Sequence, residues 1–404
     1  MSRIDDLIRE LCPEGIIFRS IGEVTEVNRG SSISKLETTE GNVPVIAGGQ
    51  KPAYWHSEPN RYGENVVVAG SGAYAGFVSY WNQPIWASDS FTVTGQSQLV
   101  LTKFVYYWLK NMQQQLHSLK RGSGVPHVYA KDVAKILIAV PPLEIQKEIV
   151  SILDKFTQLE AELEAELEAR RTQYEVTRDR LLDFSGDPST HPMGEKIREL
   201  CPEGVNAKSI GSFASCLSGA TPRSGVSAYW SQGTIPWMSS GEVNKGAIFA
   251  TEKMISEQGY NSCSTKMVPA NSVVIALAGQ GKTRGMVAIT RIELCTNQSL
   301  CSIVCDETVI PEYLLHFLRT QYQNLRTLSS GDGGRGGLNL TMIRDYHVPV
   351  PPLEVQKQIV TILDKLDALV NDISSGIPAE IKARRKQYEY YRNKLLTFKE
   401  LDAA

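Results

Sequence analysis

Val140–Asp154 reads VPPLEIQKEIVSILD, and 210 positions later Val350–Asp364 reads VPPLEVQKQIVTILD. Each stretch opens on a Pro-Pro pair, which cannot continue a helix from upstream and is well suited to start one. Downstream, apolar residues fall at Ile145, Ile149, Ile152, Phe156, Leu159 and Leu163, spaced 4, 3, 4, 3, 4. The second copy repeats that spacing at Val355, Ile359, Ile362, Leu366, Leu369 and Ile373. Alternating steps of 3 and 4 form a heptad seam, too apolar to face water alone, which requires a partner helix. In the first copy the stripe continues through Leu167, Tyr174, Leu181 and Phe184. One helix of about forty residues, about 60 Å at 1.5 Å each, is therefore expected. In the second copy Ser374-Ser375-Gly376-Ile377-Pro378 interrupts the stripe, and a new helix is expected from near Pro378 to about Phe398.

Other segments repeat around these anchors. Arg170-Arg171-x-Gln173-Tyr174 recurs as Arg384-Arg385-x-Gln387-Tyr388, now 214 positions apart, so the second copy carries four extra residues, a stutter in coiled-coil terms. IRELCPEG occurs at Ile8–Gly15 and again at Ile197–Gly204. Between the anchors the halves diverge, so like frames hold unlike inserts. Each insert reads as mixed α+β. Asn65–Ser79 and Ser272–Ile289 have a strand, Gly-rich turn, strand pattern, and one amphipathic helix closes each insert, at Leu101–Leu119 and Pro311–Leu328. The expected architecture is α+β, with two α/β globules separated by long helices that form an antiparallel coiled coil. The chain start resembles the segment after the first helix, which implies a pseudo-twofold, circular repeat. The boundaries read as a first globule at 1–140, a central helical spacer at 141–190, a second globule at 191–349 and a C-terminal helical spacer at 350–404.

At 404 residues the chain is too long for one ordinary domain. Its net charge of −2 conceals an uneven distribution. Residues 15–140 hold 11 Lys/Arg against 8 Asp/Glu (+3), residues 205–348 hold 12 against 9 (+3), and residues 141–188 hold 6 against 12 (−6). Two mildly basic globules flank an acidic connector, so attraction for DNA should be local to the globules. No apolar run approaches a membrane span, and the acidic start Asp5-Asp6 does not suit a secretory signal, which points to the cytoplasm and away from any membrane partner. Seven cysteines lack a Cys-x-x-Cys pair, and the six histidines show no ligand spacing, so neither a disulfide framework nor a metal site is expected.

Gly279-Gln280-Gly281-Lys282-Thr283 evokes a phosphate-binding loop, but the first glycine of that motif falls on Ala276 and no helix follows. A hairpin presenting Lys282 and Arg284 to DNA is the better reading, with a plain solvated turn as its alternative. The matching turn, Gly70–Gly76, offers Tyr74 for stacking or hydrogen bonding, and it too could be a simple turn. Lys120-Arg121-Gly122-Ser123-Gly124 and the glycine-rich Ser330–Gly337 occupy equivalent places before the last strand of each insert. Ordering such loops costs backbone entropy, which DNA contact would offset, with a floppy surface loop as the alternative. Arg121 and Arg335 suit guanine edges or phosphates, Gln50 and Asn339 suit adenine edges, and Lys120 is a further candidate. Lys51 and Arg223 complete the candidate set. The tryptophans Trp55, Trp81, Trp86, Trp230 and Trp237 read as core. No catalytic triad, dinucleotide fingerprint, Asn-Pro-Pro-Tyr motif or true P-loop is present, so the chain is not expected to be an enzyme.

The duplicated PPLExQxxIxxILDKxxxL and RRxQYExxRxxLLxF segments around two unlike inserts resemble the specificity subunits of type I restriction-modification systems, over essentially the whole chain. The tandem Glu160-Ala161-Glu162-Leu163 and Glu164-Ala165-Glu166-Leu167 is similar to the repeat of the type IC branch, whose copy number is associated with the gap between two DNA half-sites. The resemblance implies two target-recognition domains reading a bipartite, asymmetric double-stranded DNA site. It also implies two methyltransferase subunits as partners, with nuclease-translocase subunits in the full complex. S-adenosylmethionine and ATP would be held by those partners and no cofactor by this chain. The rival from another class is a coiled-coil scaffold binding proteins without DNA specificity.

Overall fold

The structure, a computed structural model, describes residues 3–122, 124–279, 283–328, 337–372 and 374–401. Five helices carry the frame: α1 (Thr102–Asn111), α2 (Leu143–Leu182), α3 (Pro311–Thr320), α4 (Leu353–Asn371) and α5 (Ile377–Leu395). α2 is an uninterrupted helix of 40 residues, as the apolar stripe predicts. α4 ends where Asp372 turns extended (φ −72, ψ 113), and Gly376 then packs against the end of α4, where an added Cβ would lie 2.5 Å from the Ala368 carbonyl oxygen. The repeated Gln of the proline-led motif anchors each frame. Fully buried Gln146 accepts from Leu101 N–H (2.9 Å) and donates to the Leu99 and Pro141 carbonyls at 2.9 and 2.7 Å. Gln356 makes the same three bonds, accepting from Ile310 N–H at 2.8 Å and donating to Thr308 and Pro351 at 3.0 and 2.7 Å.

One unit comprises residues 1–165 and 379–404. Besides the short antiparallel pair Phe18–Ser20 and Leu137–Ala139, its strands are β1 (Thr25–Arg29), β2 (Val43–Ile46), β3 (Tyr54–His56), β4 (Glu64–Ala69), β5 (Val78–Asn82), β6 (Trp86–Ala87) and β7 (Ser90–Gly95). The main antiparallel sheet runs β1-β7-β4-β5, and a smaller one runs β3-β2-β6 with β2 and β6 parallel. Strand alternation explains the triple valine of β4. Val66 and Val68 pack toward α1 with Phe104, Val105 and Leu109, while Val67 faces a second cluster with Ile46 and Ile85. The unit is closed by its own ends, since Ile16 N–H donates to Lys399 O (2.9 Å) and Leu401 N–H to Ile16 O (3.0 Å). α5 runs antiparallel to the first half of α2: Phe156 stacks on Tyr391 (5.6 Å), and farther along α2 Glu160 and Glu164 both meet Arg385 of α5. The Tyr107 hydroxyl of α1 donates to Asp154 of α2, and burial together with that carboxylate holds it well above the ordinary tyrosine range.

The other unit spans residues 166–378. Besides the short antiparallel pair Ala207–Ser209 and His347–Pro349, its strands are β8 (Ala214–Ser218), β9 (Ile235–Met238), β10 (Ala247–Ile248), β11 (Lys253–Ile255), β12 (Val273–Ala276), β13 (Val287–Thr290), β14 (Cys295–Thr296) and β15 (Leu300–Cys305). The main sheet, β8-β15-β12-β13-β10, repeats the order of the first unit and adds β10, parallel to β13. The small sheet β11-β9-β14 again pairs one antiparallel and one parallel neighbour. The second half of α2 joins this core through Tyr174, Leu181 and Leu182, beside Val355, Ile359 and Leu363 of α4. Where α1 uses Tyr107 against Asp154, α3 uses buried His316, whose Nε2 lies 2.8 Å from Asp364.

Several expectations are corrected. Ile145, Ile149, Val355 and Ile359 are fully buried, but against their globules, and the true continuation of that face is Leu153 and Leu363. At about 100° per residue Ile149 and Leu153 lie roughly 40° and 80° to one side of Ile145, while Ile152 and Leu159 lie roughly 20° and 40° to the other, and the globule covers the first side. Ile152, Phe156, Leu163, Ile362 and Leu366 are partly covered, and Leu159 and Leu369 remain 45% and 37% exposed, outside any seam. Ile373 lies outside the described residues. The helix closing each insert is broken in two, at Met112 and at Gln321. Trp237 is core as expected, whereas Trp55 is 54% exposed on the short β3 edge strand.

Candidate nucleic-acid interface

In the first unit the candidate loops converge. The turn after β4 places Gly72 at φ +85, with its N–H donating to Pro126 O at 3.0 Å, and this lifts Tyr74 to 47% exposure. Lys120 reaches the same turn, its Nζ donating to Ala73 O at 2.8 Å. Arg121 exchanges two backbone hydrogen bonds with His127 (2.9 and 2.8 Å), which sets the two residues side by side as an antiparallel bridge. The Arg121 guanidinium approaches the mostly buried Asp132 at 3.5 Å, long for a hydrogen bond, and stays 64% exposed. Gln50 and Lys51 are exposed on the β2–β3 loop. That loop abuts the same turn, since a Cβ on Gly48 would lie 2.3 Å from Ser71 O. Lys51, Tyr74, Lys120 and Arg121 therefore belong to one loop cluster, as a phosphate-tracking, base-facing surface requires.

Sequence reading missed part of this cluster. Val125 and Tyr129 are 57% and 45% exposed, the His127 and Tyr129 rings stack at 6.1 Å and 15°, and Lys131 Nζ lies 5.8 Å from the Tyr129 ring centroid. Isolated aromatics in a strand-like stretch give no signal of this, because their exposure depends on the neighbouring turn.

In the second unit the turn following β12 carries Arg284, which is half-buried, and Gly279 at φ +140, pressed against Thr283. Lys282 and Arg335 lie outside the described residues. Leu338 N–H donates to Leu277 O at 2.9 Å, joining the stretch before the short helix Leu340–Arg344 to this turn. Arg223 is exposed beside the short helical turn Ser227–Tyr229, its carbonyl accepting from Trp230 Nε1 at 3.2 Å. The nearby Thr221 hydroxyl donates to Gln298 at 2.5 Å, and Gln298 shares a cavity of about 550 Å³ with Ala278 and Asn339. Asn339 is not a freely presented amide. It caps the helix Leu340–Arg344, its side-chain oxygen accepting from Met342 N–H at 2.9 Å, because helix starts leave N–H groups that Asn satisfies well.

Among the described residues no group of three or more His, Cys, Asp or Glu side chains could hold a metal ion, and no helix is long and apolar enough to cross a membrane. All seven cysteines are free.

Comparison with known proteins places this arrangement. The model of the "Type I restriction modification DNA specificity domain" matches residues 13–169 and again 202–383, one match per unit's worth of repeat. The specificity subunit of the EcoR124I/EcoR124II type I restriction enzyme of Escherichia coli is 33% identical over 305 residues, covering 74% of this chain and 71% of that protein. The crystal structure of a type I restriction-modification S subunit from M. genitalium superposes with a TM-score of 0.63 at 16% identity, covering 95% of this chain and 96% of the other. A structure concerned with assembly and conformational transition of the type I R-M system gives 0.61 at 18% identity, covering 95% and 98%. The chain belongs to the type I restriction-modification DNA specificity family, and its part in such a system is recognition of DNA rather than catalysis.

Proposed function

We propose that this chain reads a gapped, asymmetric, two-part site in double-stranded DNA and directs partner subunits to it. Residues 1–140 read one half-site and residues 191–349 the other. The helical regions 141–190 and 350–404 act as spacers and offer docking faces to two methyltransferase subunits, joined by nuclease-translocase subunits in the full complex. S-adenosylmethionine and ATP belong to those partners, and the assembly works in the cytoplasm. Gln50, Lys51, Tyr74, Lys120 and Arg121 contact the first half-site, and Arg223, Lys282, Arg284, Arg335 and Asn339 the second.

One observation carries this reading. The same strand order is used twice, and each time the turn after the central strand is hydrogen-bonded to the stretch before a short helix, Ala130–Val133 or Leu340–Arg344, with unlike side chains on the two pairs of loops. A frame used twice with different loops suits two different half-sites. The test is the adenine methylation pattern of host DNA with and without the gene, read by single-molecule sequencing. A gapped two-part motif that disappears with the gene is the expected result, and a pattern unchanged by the deletion would overturn the proposal.

A further inference from the structure

The two loop pairs are equivalent by their backbone bonds, which identifies positions that the sequences do not align. In the first unit Val128 N–H donates to the carbonyl of Gly70, the residue after β4. In the second, Leu338 N–H donates to the carbonyl of Leu277, the residue after β12. Val128 thus corresponds to Leu338, His127 to Gly337, and Tyr129 to Asn339, each of the last two standing directly before a short helix. At one structural position the first unit has an imidazole and the second has no side chain.

The imidazole is held in one orientation. His127 is fixed by backbone bonds with Arg121 in both directions, and Pro126 and Val128 on either side of it are bonded to Gly72 and Gly70. Its Nδ1 lies 2.7 Å from the Val125 carbonyl oxygen. A carbonyl oxygen only accepts, so Nδ1 carries the proton, and in the neutral ring Nε2 is left as an acceptor. Tyr129 stacks on the ring, and Lys51, Lys120, Arg121 and Lys131 belong to the same loops or flank them. A fixed acceptor of this kind, on loops that also carry several cations, is matched to a hydrogen-bond donor on a polyanion. On duplex DNA the base-edge donors are exocyclic amino groups: adenine N6 and cytosine N4 in the major groove, guanine N2 in the minor groove.

We infer that His127 is a specificity-determining residue of the first recognition domain, its Nε2 accepting a hydrogen bond from the exocyclic amino group of one base in the half-site which that domain reads. This rests on the proposed reading of residues 1–140 as a half-site reader.

The test uses the chain assembled with its methyltransferase partner and duplexes carrying the motif that methylation mapping returns. In each duplex one amino group of the first half-site is deleted, by inosine for guanine, purine for adenine, or 2-pyrimidinone for cytosine. For the wild type, one such deletion should lower the methylation rate roughly fivefold, the worth of a single hydrogen bond of about 1 kcal/mol. H127A should lower the rate on the intact duplex by a similar factor and lose nothing further on that deleted duplex, while H127Q, which keeps an acceptor, should recover part of the rate. Discrimination at the second half-site should be unchanged, which shows that the variant is folded. Additive losses for every amino group of the first half-site, or unaltered discrimination in H127A, would overturn the inference. Failure of the parent reading looks different: exchanging residues 15–140 would then leave the first half-site unaltered.

Discussion

Gln146 and Gln356 show how a repeated residue can be conspicuous in sequence and opaque in role. Each closes a loop to its helix start with three hydrogen bonds in a fully buried position. Gln146→Leu would leave the Leu101 N–H and the Leu99 and Pro141 carbonyls without their partner, the Pro141 group in a buried setting, and a loss of about 1–3 kcal/mol is expected in denaturant unfolding of the chain. A loss below about 0.5 kcal/mol would mean that the amide is not a structural clamp. The partners include residues 45 and 47 positions upstream, so no local pattern could have named them. Arg121 is the opposite case, proposed from its type and its glycine-rich setting and left 64% exposed by the fold. Arg121→Ala removes an exposed cation and is expected to weaken DNA binding and reduce the slope of log affinity against log salt by about 1, as one lost phosphate contact would. An unchanged slope would place Arg121 on a base edge or off the DNA. Asn339 is legible in sequence as an amide but not as a helix cap, because the cap forms only with the helical turn beyond it.

At the scale of elements, α2 and α5 are held in register by few contacts. Arg385 donates from Nε to Glu160 and from a terminal nitrogen to Glu164, each at 2.5 Å, and so spans one residue of each EAEL copy. A repeat of four places like residues about one helical turn apart, so the glutamates by themselves would accept Arg385 one repeat along, and the Phe156–Tyr391 stack supplies the unrepeated anchor. Arg385→Ala should cost about 1 kcal/mol or less, since the pairs are exposed, and that cost should shrink in roughly 1 M salt. A cost that is independent of salt would indicate lost packing instead. If the tandem repeat sets the gap between half-sites, deleting one EAEL copy should change the gap in the mapped methylation motif while leaving both half-sites as they were, and an unaltered gap would end that idea. Heptad spacing finds these helices and the length of α2, but it assigns the seam to the wrong face at Leu159 and Leu369. Amphipathic spacing reports that a face is covered and not whether a sheet domain or a helix covers it.

At the scale of the whole molecule, the twofold repeat is the organising fact. If each insert is an independent reader, replacing residues 15–140 with another family member's insert should change one half of the methylation motif and leave the other intact. Loss of both halves would refute modularity. The repeated frames, the break between α4 and α5, the unlike inserts and the family itself were all readable from the chain, because proline, helical periodicity and internal repetition are properties of neighbouring residues. The common strand order of the two inserts was not readable. Strand pairing joins residues such as Asn28 and Thr92, or Cys216 and Ile303, through backbone groups that every sequence possesses, so divergent sequences can share it unseen. The same reason hid the loop cluster around His127: which side chains meet there depends on hydrogen bonds between a turn near Gly70 and a loop near Val128, distant in the chain, and only the tertiary structure brings them together.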